Sequence, residues 1–247
     1  MQFEVGKVLS RAIQITLSKF VPLVTIALMI YGPVIVLMAL VTAGGGTETV
    51  AIAPGQEMTI PRTNFAAQGF VTILAILAQF IVTAALTYAV FQSLRRREIQ
   101  VSDSIKEGFK RALPVLAVSI LVGLCIGLGA MLFVVPGLIL MCVLYVAVPA
   151  VVVERPGVIG AMSRSAELTK GNRWSIFVLV LVFMGLGLLI QLLFGSLALS
   201  GFIGMIIVQL ITMVLSLFGS VSQVVAYHDL RTAKEGISTD EIAAVFD

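Results

Sequence analysis

Four stretches of this 247-residue chain contain no Asp, Glu, Lys or Arg: 20–47, 63–94, 112–153 and 174–227. All of the 16 Lys and Arg residues except Arg62 fall into short clusters around those stretches. Hydrocarbon imposes such segregation, because an ionised side chain at the centre of a bilayer costs about 2.5–3.5 kcal/mol or more. A helix crosses about 30 Å of hydrocarbon with about 20 apolar residues. The two shorter runs therefore hold one span each and the two longer runs hold two. The six expected spans are roughly 20–43, 67–92, 114–135, 137–153, 175–195 and 201–227. The fourth is short, which calls for tilt or local thinning of the bilayer. Barrel strands would alternate apolar and polar residues in segments of about ten, whereas these runs are continuous. The fold expected is an all-α integral membrane protein with six transmembrane helices. A mean hydropathy of +1.10 and a charged fraction of 12% agree, since soluble domains carry roughly 25% charged residues.

The distribution of positive charge orients the chain. One set of connections carries Lys7, Arg11 and Lys19, then Arg95, Arg96, Arg97, Lys106, Lys110 and Arg111, then Arg155, Arg164, Lys170 and Arg173, then Arg231 and Lys234. The opposite set carries Arg62 against Glu48 and Glu57. Basic residues flanking spans mark the cytoplasmic side, so both termini are expected there. The net charge of +3 is thus a topology signal and not a nucleic-acid one. Val41-Thr42-Ala43 loosely fits a signal-peptidase site. However, the apolar run before it is about 24 residues against the 7–15 of a signal peptide, and an amphipathic stretch precedes it, so no cleavage is expected.

Each uncharged hairpin is preceded by a segment of helical amphipathicity. In the first, Val5, Val8, Leu9 and Ala12 form an apolar stripe opposite Lys7, Ser10, Arg11, Gln14 and Ser18. The second starts from Ser102 as N-cap. It sets Ile105, Phe109 and Ala112 against Lys106, Glu107, Lys110 and Arg111, with Glu107 and Arg111 spaced for a helix ion pair. The third sets Ile159, Met162 and Ala166 against Ser163, Arg164, Glu167 and Lys170, and Gly171 supplies its stop. The segment from Leu9 to Thr16 aligns without gaps on that from Met162 to Thr169. This predicts three cytoplasmic interfacial helices and a threefold repeat of helix plus hairpin in a single membrane domain, with units at about 3–94, 101–153 and 156–227.

The connections on the other side differ. Val135-Pro136-Gly137 is expected to turn between spans three and four. Within 44–66, Thr49–Ala53 and 58–60 form either a small hairpin around Pro54-Gly55 or a disordered loop. A cytoplasmic tail at 228–247 follows the last span. In it Ile237, Ser238, Glu241 and Ile242 satisfy a capping box and a hydrophobic staple, which predicts a short helix from Thr239 to about Phe246.

All six spans lack ionisable carboxylates and amines, which argues against ion coupling through a buried carboxylate. Their polar content is neutral, and Gln79, Gln191 and Gln209 form the candidate intramembrane cluster, either packing across helices or lining a polar pathway. Gly123 and Gly127, with Gly129 following, make a small-residue stripe for close helix approach, and Pro33 is expected to kink or break span one. Cys125 and Cys142 lie within spans as small apolar residues. With one histidine they make no metal set, so no metal or cofactor is expected. His228-Asp229 lacks a nucleophile beside it, and headgroup-level hydrogen bonding is its expected role. The basic segments are expected to meet anionic lipid headgroups, with Lys7, Arg11, Lys106, Lys110, Arg111, Arg164, Lys170 and Arg173 as candidate contacts. A protein partner or a second copy is a further expected partner class; nucleic acid is not.

Three stretches carry a resemblance. They are Val135-Pro136-Gly137-Leu138-Ile139-Leu140, Tyr145-Val146-Ala147-Val148-Pro149-Ala150, and the run Ser163-Arg164-Ser165-Ala166-Glu167-Leu168-Thr169-Lys170-Gly171-Asn172-Arg173-Trp174. Together with Tyr227-His228-Asp229-Leu230-Arg231 and the ending Ile242 to Asp247, they resemble the glycerophosphoryl diester phosphodiesterase membrane-domain family, in its bacterial stand-alone form. The resemblance implies a bacterial inner-membrane helical protein of undefined role. In the members that give the family its name, this module precedes a metal-dependent phosphodiesterase barrel. Here the chain ends twenty residues after the last expected span, so no catalytic activity is expected. Two functional classes follow: a non-catalytic membrane-organising module, or a translocator of a lipid or small polar solute.

Overall fold

The computed structural model describes residues 3–44, 47–53, 56–61, 65–199 and 202–236. Helices dominate it: α1 (Val5–Ser18), α2 (Phe20–Gly44), α3 (Phe65–Leu94), α4 (Val101–Leu132), α5 (Val134–Val143), α6 (Ala147–Val153), α7 (Val158–Thr169), α8 (Arg173–Phe194) and α9 (Phe202–Glu235). A 3-10 turn at Gly195–Leu199 follows α8. Six helical segments are long and apolar enough to cross a membrane, as in a multi-pass membrane protein: Phe20–Val41, Phe65–Leu94, Val101–Leu132, Val134–Val153, Arg173–Leu197 and Ile206–Glu235. The segment between α2 and α3 forms a hairpin. Strand β1 (Thr47–Ala53) pairs antiparallel with β2 (Gln56–Pro61) from Thr47↔Pro61 to Ala53↔Gln56, with an irregularity between Ala51 and Ala53. The helix expected at 239–246 lies outside the described residues, as does Arg62.

Several boundaries depart from the sequence reading. The second amphipathic segment and span three form one 32-residue helix, α4, with Pro114 inside it. The junction Ala112-Leu113-Pro114-Val115 offers no glycine or polar stop, so the helix runs on with the loss of one backbone bond. Its N-cap is Gln100, not Ser102, and the Ser104 hydroxyl donates to the Gln100 carbonyl at 2.8 Å. α2 likewise continues through Pro33. The turn between α4 and α5 is the single extended residue Phe133, while Pro136 sits in the first turn of α5. There its missing N–H costs no helical bond and its fixed φ suits the helix. Gly137 lets α5 meet α4: a Cβ on it would lie 2.8 Å from the Ala130 side chain.

The core concentrates at the end of the bundle where the basic residues lie. Fully buried there are Val8 and Ala12 of α1, Leu23 and Ile26 of α2, Ala85 and Val90 of α3, Val146 and Ala150 beside and within α6, and Val221, Tyr227 and Leu230 of α9. Towards the opposite end large apolar side chains face outward, including Phe65, Met131 and Leu192, each more than 80% exposed. Helix approach is closest between α3 and α4, where a Cβ on Gly108 would meet Ala85 Cβ at 2.7 Å. At Gly123 and Gly127, by contrast, a Cβ would meet nothing within 4 Å. Among the described residues, Gly123 and Gly127 therefore serve no close contact, and of that stripe Gly129 alone joins Gly108 and Gly137 at close approaches.

Candidate functional site

Span four is broken. α5 stops at Val143, α6 starts at Ala147, and Leu144, Tyr145 and Val146 form a turn between them. A break in a span frees backbone groups that lipid cannot satisfy, so such breaks persist only where protein supplies partners. Here two helices do so. Ser165 Oγ of α7 accepts from Val146 N at 3.2 Å and donates to the Val143 carbonyl at 2.8 Å. Thr169 Oγ1 reaches the same carbonyl at 3.2 Å. From α9, Gln223 Nε2 donates to the Tyr145 carbonyl at 2.6 Å. Ser165 and Thr169 are fully buried, which explains the polar spacing Ser165-x-x-x-Thr169 in α7. The left-handed backbone of Gly171 (φ +92) then ends that helix where expected.

The apolar face assigned to α7 is consequently not its inner face. Ala161, Ser165, Leu168 and Thr169 are buried, while Ile159 is 78% exposed. In α4 the buried face is shifted and not inverted: Ser104 and Gly108 are buried and Phe109 is exposed, while Ile105 packs on the core and Lys106 and Lys110 are exposed as expected. α1 follows the sequence reading: Val8, Ala12 and Thr16 are buried and Lys7, Ser10, Arg11, Gln14 and Ser18 are exposed.

An ion-pair lattice lies just beyond the break. Glu154, at the end of α6, accepts from Arg164 Nε at 2.9 Å and from the Tyr227 hydroxyl at 2.5 Å. Arg164 also pairs with Glu235. Arg231 Nε donates to Glu235 Oε2 at 2.8 Å and its guanidinium lies 3.7 Å from Glu154. These side chains are roughly four-fifths buried, between 18% and 23% exposed. Lys234 Nζ donates to the Glu167 carbonyl, tying the end of α9 to α7. Around the other side of α9, Arg11 Nη1 meets Asp229 Oδ1 at 2.6 Å. His228 Nδ1 lies 3.4 Å from that carboxylate oxygen, and its buried Nε2 has no hydrogen-bond partner among the described residues. The lattice joins α1, α6, α7 and α9 into one polar layer.

A second basic group borders this layer. Arg111 of α4 holds Glu107 with Nε and Nη2 at 2.9 and 2.6 Å, donates to the Val152 carbonyl, and lies 5.0 Å from the centre of the Tyr88 ring. Arg155 Nη2 approaches Glu107 at 3.8 Å while its side chain remains 70% exposed. Arg95, just past α3, sits 4.5 Å over Phe91. Burial, then the neighbouring charges of Arg97 and Arg231, lower the Arg95 guanidinium from its ordinary value. Two open clefts of about 280 and 360 Å³ flank Arg111 and Arg155. Tyr88, Phe91, Arg95 and Glu154 line the first, and Glu107, Lys110, Pro114 and Val151 line the second.

The sequence candidates distribute unevenly over this layer. Lys106, Lys170 and Arg173 are exposed. Lys7 is exposed beside Glu4 at 3.0 Å, and Lys110 beside Glu107 at 3.0 Å. Arg11 is half-exposed but holds Asp229. Arg111 and Arg164 are mostly buried, 14% and 23% exposed, and each already holds a carboxylate; Arg111 nevertheless borders both clefts. Of the glutamines, Gln79 and Gln209, the latter exposed, both line a cavity of about 110 Å³ with Tyr31, Thr212 and Ser216. Gln191 is exposed on α8 and takes no part. From sequence, Arg95 and Arg155 read only as orienting charges and Ser165 only as part of the resemblance; Glu154 and Gln223 carry no role there. The charge of Glu154 and Arg155 at the end of an apolar run was visible, but a role for Ser165 and Gln223 depends on the break, whose one signal in the sequence is Pro149, with no N–H to offer the Tyr145 carbonyl.

A family model described as a domain of unknown function (DUF7847) matches residues 104–230. That segment runs from the start of α4 to the charged turns of α9, so it includes the break, its cradle and most of the lattice. No curated protein and no solved structure matches the chain.

Proposed function

This chain belongs to the DUF7847 family, and from its own residues we propose that it is a multi-pass protein of a bacterial inner membrane, with both termini cytoplasmic. In this reading its basic end is a non-catalytic module that organises anionic lipids or a protein partner at the cytoplasmic face. The observation that carries it is the placement of order. Burial, ion pairs and backbone-satisfying side chains concentrate at the basic end, whereas the apolar surface of the remaining length faces outward as a lipid-exposed surface would. The resemblance to glycerophosphoryl diester phosphodiesterase membrane domains belongs to the same reading, as a likeness of module and not of activity.

Cross-linking in native membranes followed by capture of the full chain tests it. Reproducible cross-links from α1, α7 or the 95–100 segment to one partner, or co-purification of anionic over zwitterionic lipid, are the expected results. Metal-dependent phosphodiesterase turnover by the purified chain would overturn it. The second reading, a translocator, is favoured by the Gln79–Gln209 cavity. Its 110 Å³ holds a few waters at about 30 Å³ each. Solute flux in proteoliposomes abolished by Gln79→Leu would move the assignment there.

A further inference from the structure

We propose that the paired clefts around Arg111 and Arg155 form a binding site for a phosphate group, carried by an anionic lipid headgroup or by a soluble phosphate. The inference deepens the reading above and rests on the basic end facing an anionic leaflet. Three arginines reach the clefts from three different elements: Arg95 after α3, Arg111 from α4 and Arg155 after α6. Lys110 joins them from the second cleft. The two carboxylates present are engaged: Glu154 by Arg164 and Tyr227, Glu107 by Arg111 and Lys110. Cationic charge is therefore in excess where both clefts meet.

Guanidinium groups suit such a ligand, since the planar fork matches phosphate oxygens in pairs. Arg111 is pre-set by its bonds to Glu107 and the Val152 carbonyl and by the Tyr88 ring. Arg155 differs. It is 70% exposed, and it and Arg96 are the only non-glycine residues with positive φ among those described (55° and 57°). A left-handed arginine ahead of Pro156 is a backbone held against its preference, the kind of strain that gathers at ligand-binding segments. The walls are apolar at Phe91, Val151, Val152 and Pro114, so acyl chains can leave along them. Each cleft lies near the lower end of the ~300–1,000 Å³ typical of small-molecule sites.

The test is native mass spectrometry of the full chain in neutral detergent, titrated with dioleoylphosphatidylglycerol, dioleoylphosphatidylcholine or inorganic phosphate. Phosphatidylglycerol is expected to bind about tenfold or more tightly than phosphatidylcholine. Arg155→Gln should weaken it about fivefold, the effect of roughly one basic residue at an anionic surface. Arg155→Gly, which relieves the backbone while removing the charge, should bind as weakly and keep its thermal stability. Lys19→Gln, a basic residue outside both clefts, should stay within about twofold. Displacement of the lipid by millimolar inorganic phosphate would support the site with a soluble ligand, and failure to displace would support a lipid one. Retention of wild-type binding by both Arg155 variants, or an equal loss in Lys19→Gln, would overturn the site while leaving the module reading intact. Equal binding of both lipids by the wild type would remove the lipid half of that reading as well.

Discussion

Arg11 Nη1 and Asp229 Oδ1 lie 2.6 Å apart across 218 positions of sequence, so the first helix is ion-paired to the last. In the aligned segments Arg11 corresponds to Arg164, whose guanidinium meets Glu154 at the end of α6. Both arginines thus leave an amphipathic helix to neutralise a carboxylate at the end of a span. Two of the three expected copies of the short helix, α1 and α7, pair the arginine at the aligned position with a carboxylate of another helix; in the middle copy Arg111 holds Glu107 of its own helix.

The two clips differ in burial, and their removal should differ accordingly. Arg164→Ala leaves Glu154 and Glu235 mostly buried without their main cation, and is expected to destabilise by about 2–4 kcal/mol. Arg11→Ala acts at a half-exposed arginine and should cost about 1 kcal/mol or less. Thermal unfolding in detergent, followed through Trp174, measures both. Comparable losses would contradict the burial recorded for them.

Polar side chains hold the break in span four, so their loss should be felt as loss of hydrogen bonds and not of volume. Ser165→Ala removes one acceptor and one donor and is expected to destabilise by about 1–3 kcal/mol, and Gln223→Leu by a similar amount. Thr169→Val should cost less in the wild type than in Ser165→Ala, because both hydroxyls donate to the Val143 carbonyl. A double-mutant cycle in the same unfolding assay gives the coupling.

Gly108 is expected to tolerate no side chain. Its Cβ would fall 2.7 Å from that of Ala85 and 3.0 Å from the Ile81 carbonyl, so Gly108→Val should separate α3 from α4 and lower stability by about 1–3 kcal/mol or more. Ala85→Gly in the same chain should restore part of the loss. Gly123→Val and Gly127→Val, where nothing is near, should leave the isolated chain's stability within about 0.5 kcal/mol.

Topology has its own measurement. Single cysteines placed at Arg96, Arg155 and Lys170, in a background lacking Cys125 and Cys142, should all react from the cytoplasmic side with a membrane-impermeant maleimide. One at Glu57 should react only from the opposite side. Labelling of positions 96 and 170 from different sides would overturn the six-span arrangement.

What the sequence made legible and what it hid divide along one physical line. Charge exclusion from hydrocarbon is strong enough that the number and order of apolar helices match the expected spans, although the third starts at Val101 and the sixth runs on to Glu235. The faces of the helices do not. In water an apolar stripe is the buried stripe, and on that rule Ile159, Met162 and Phe109 were turned inward. In lipid the outer surface is itself apolar, and the inner surface is chosen by small size and hydrogen bonding, so Gly108, Ser165 and Thr169 face in. The same reasoning explains why Gln191 was grouped with Gln79 and Gln209: type and depth were readable, direction was not. Prolines were only partly informative: Pro33 and Pro114 lie within continuous helices, which excludes a break at Pro33 but not a kink, while span four breaks just ahead of Pro149, which has no N–H for the Tyr145 carbonyl.

The order of synthesis gives that interrupted helix a further meaning. When the fourth span leaves the ribosome, the amide of Val146 is waiting for a hydroxyl 19 positions downstream, and the carbonyl of Tyr145 for an amide 78 positions downstream. Until α7 and α9 have been made, this pair of half-helices must be chaperoned by water, headgroups or the insertion machinery. Its maturation is therefore a late event, and a nascent chain truncated before Gln223 should be held at the translocon or cleared by quality control.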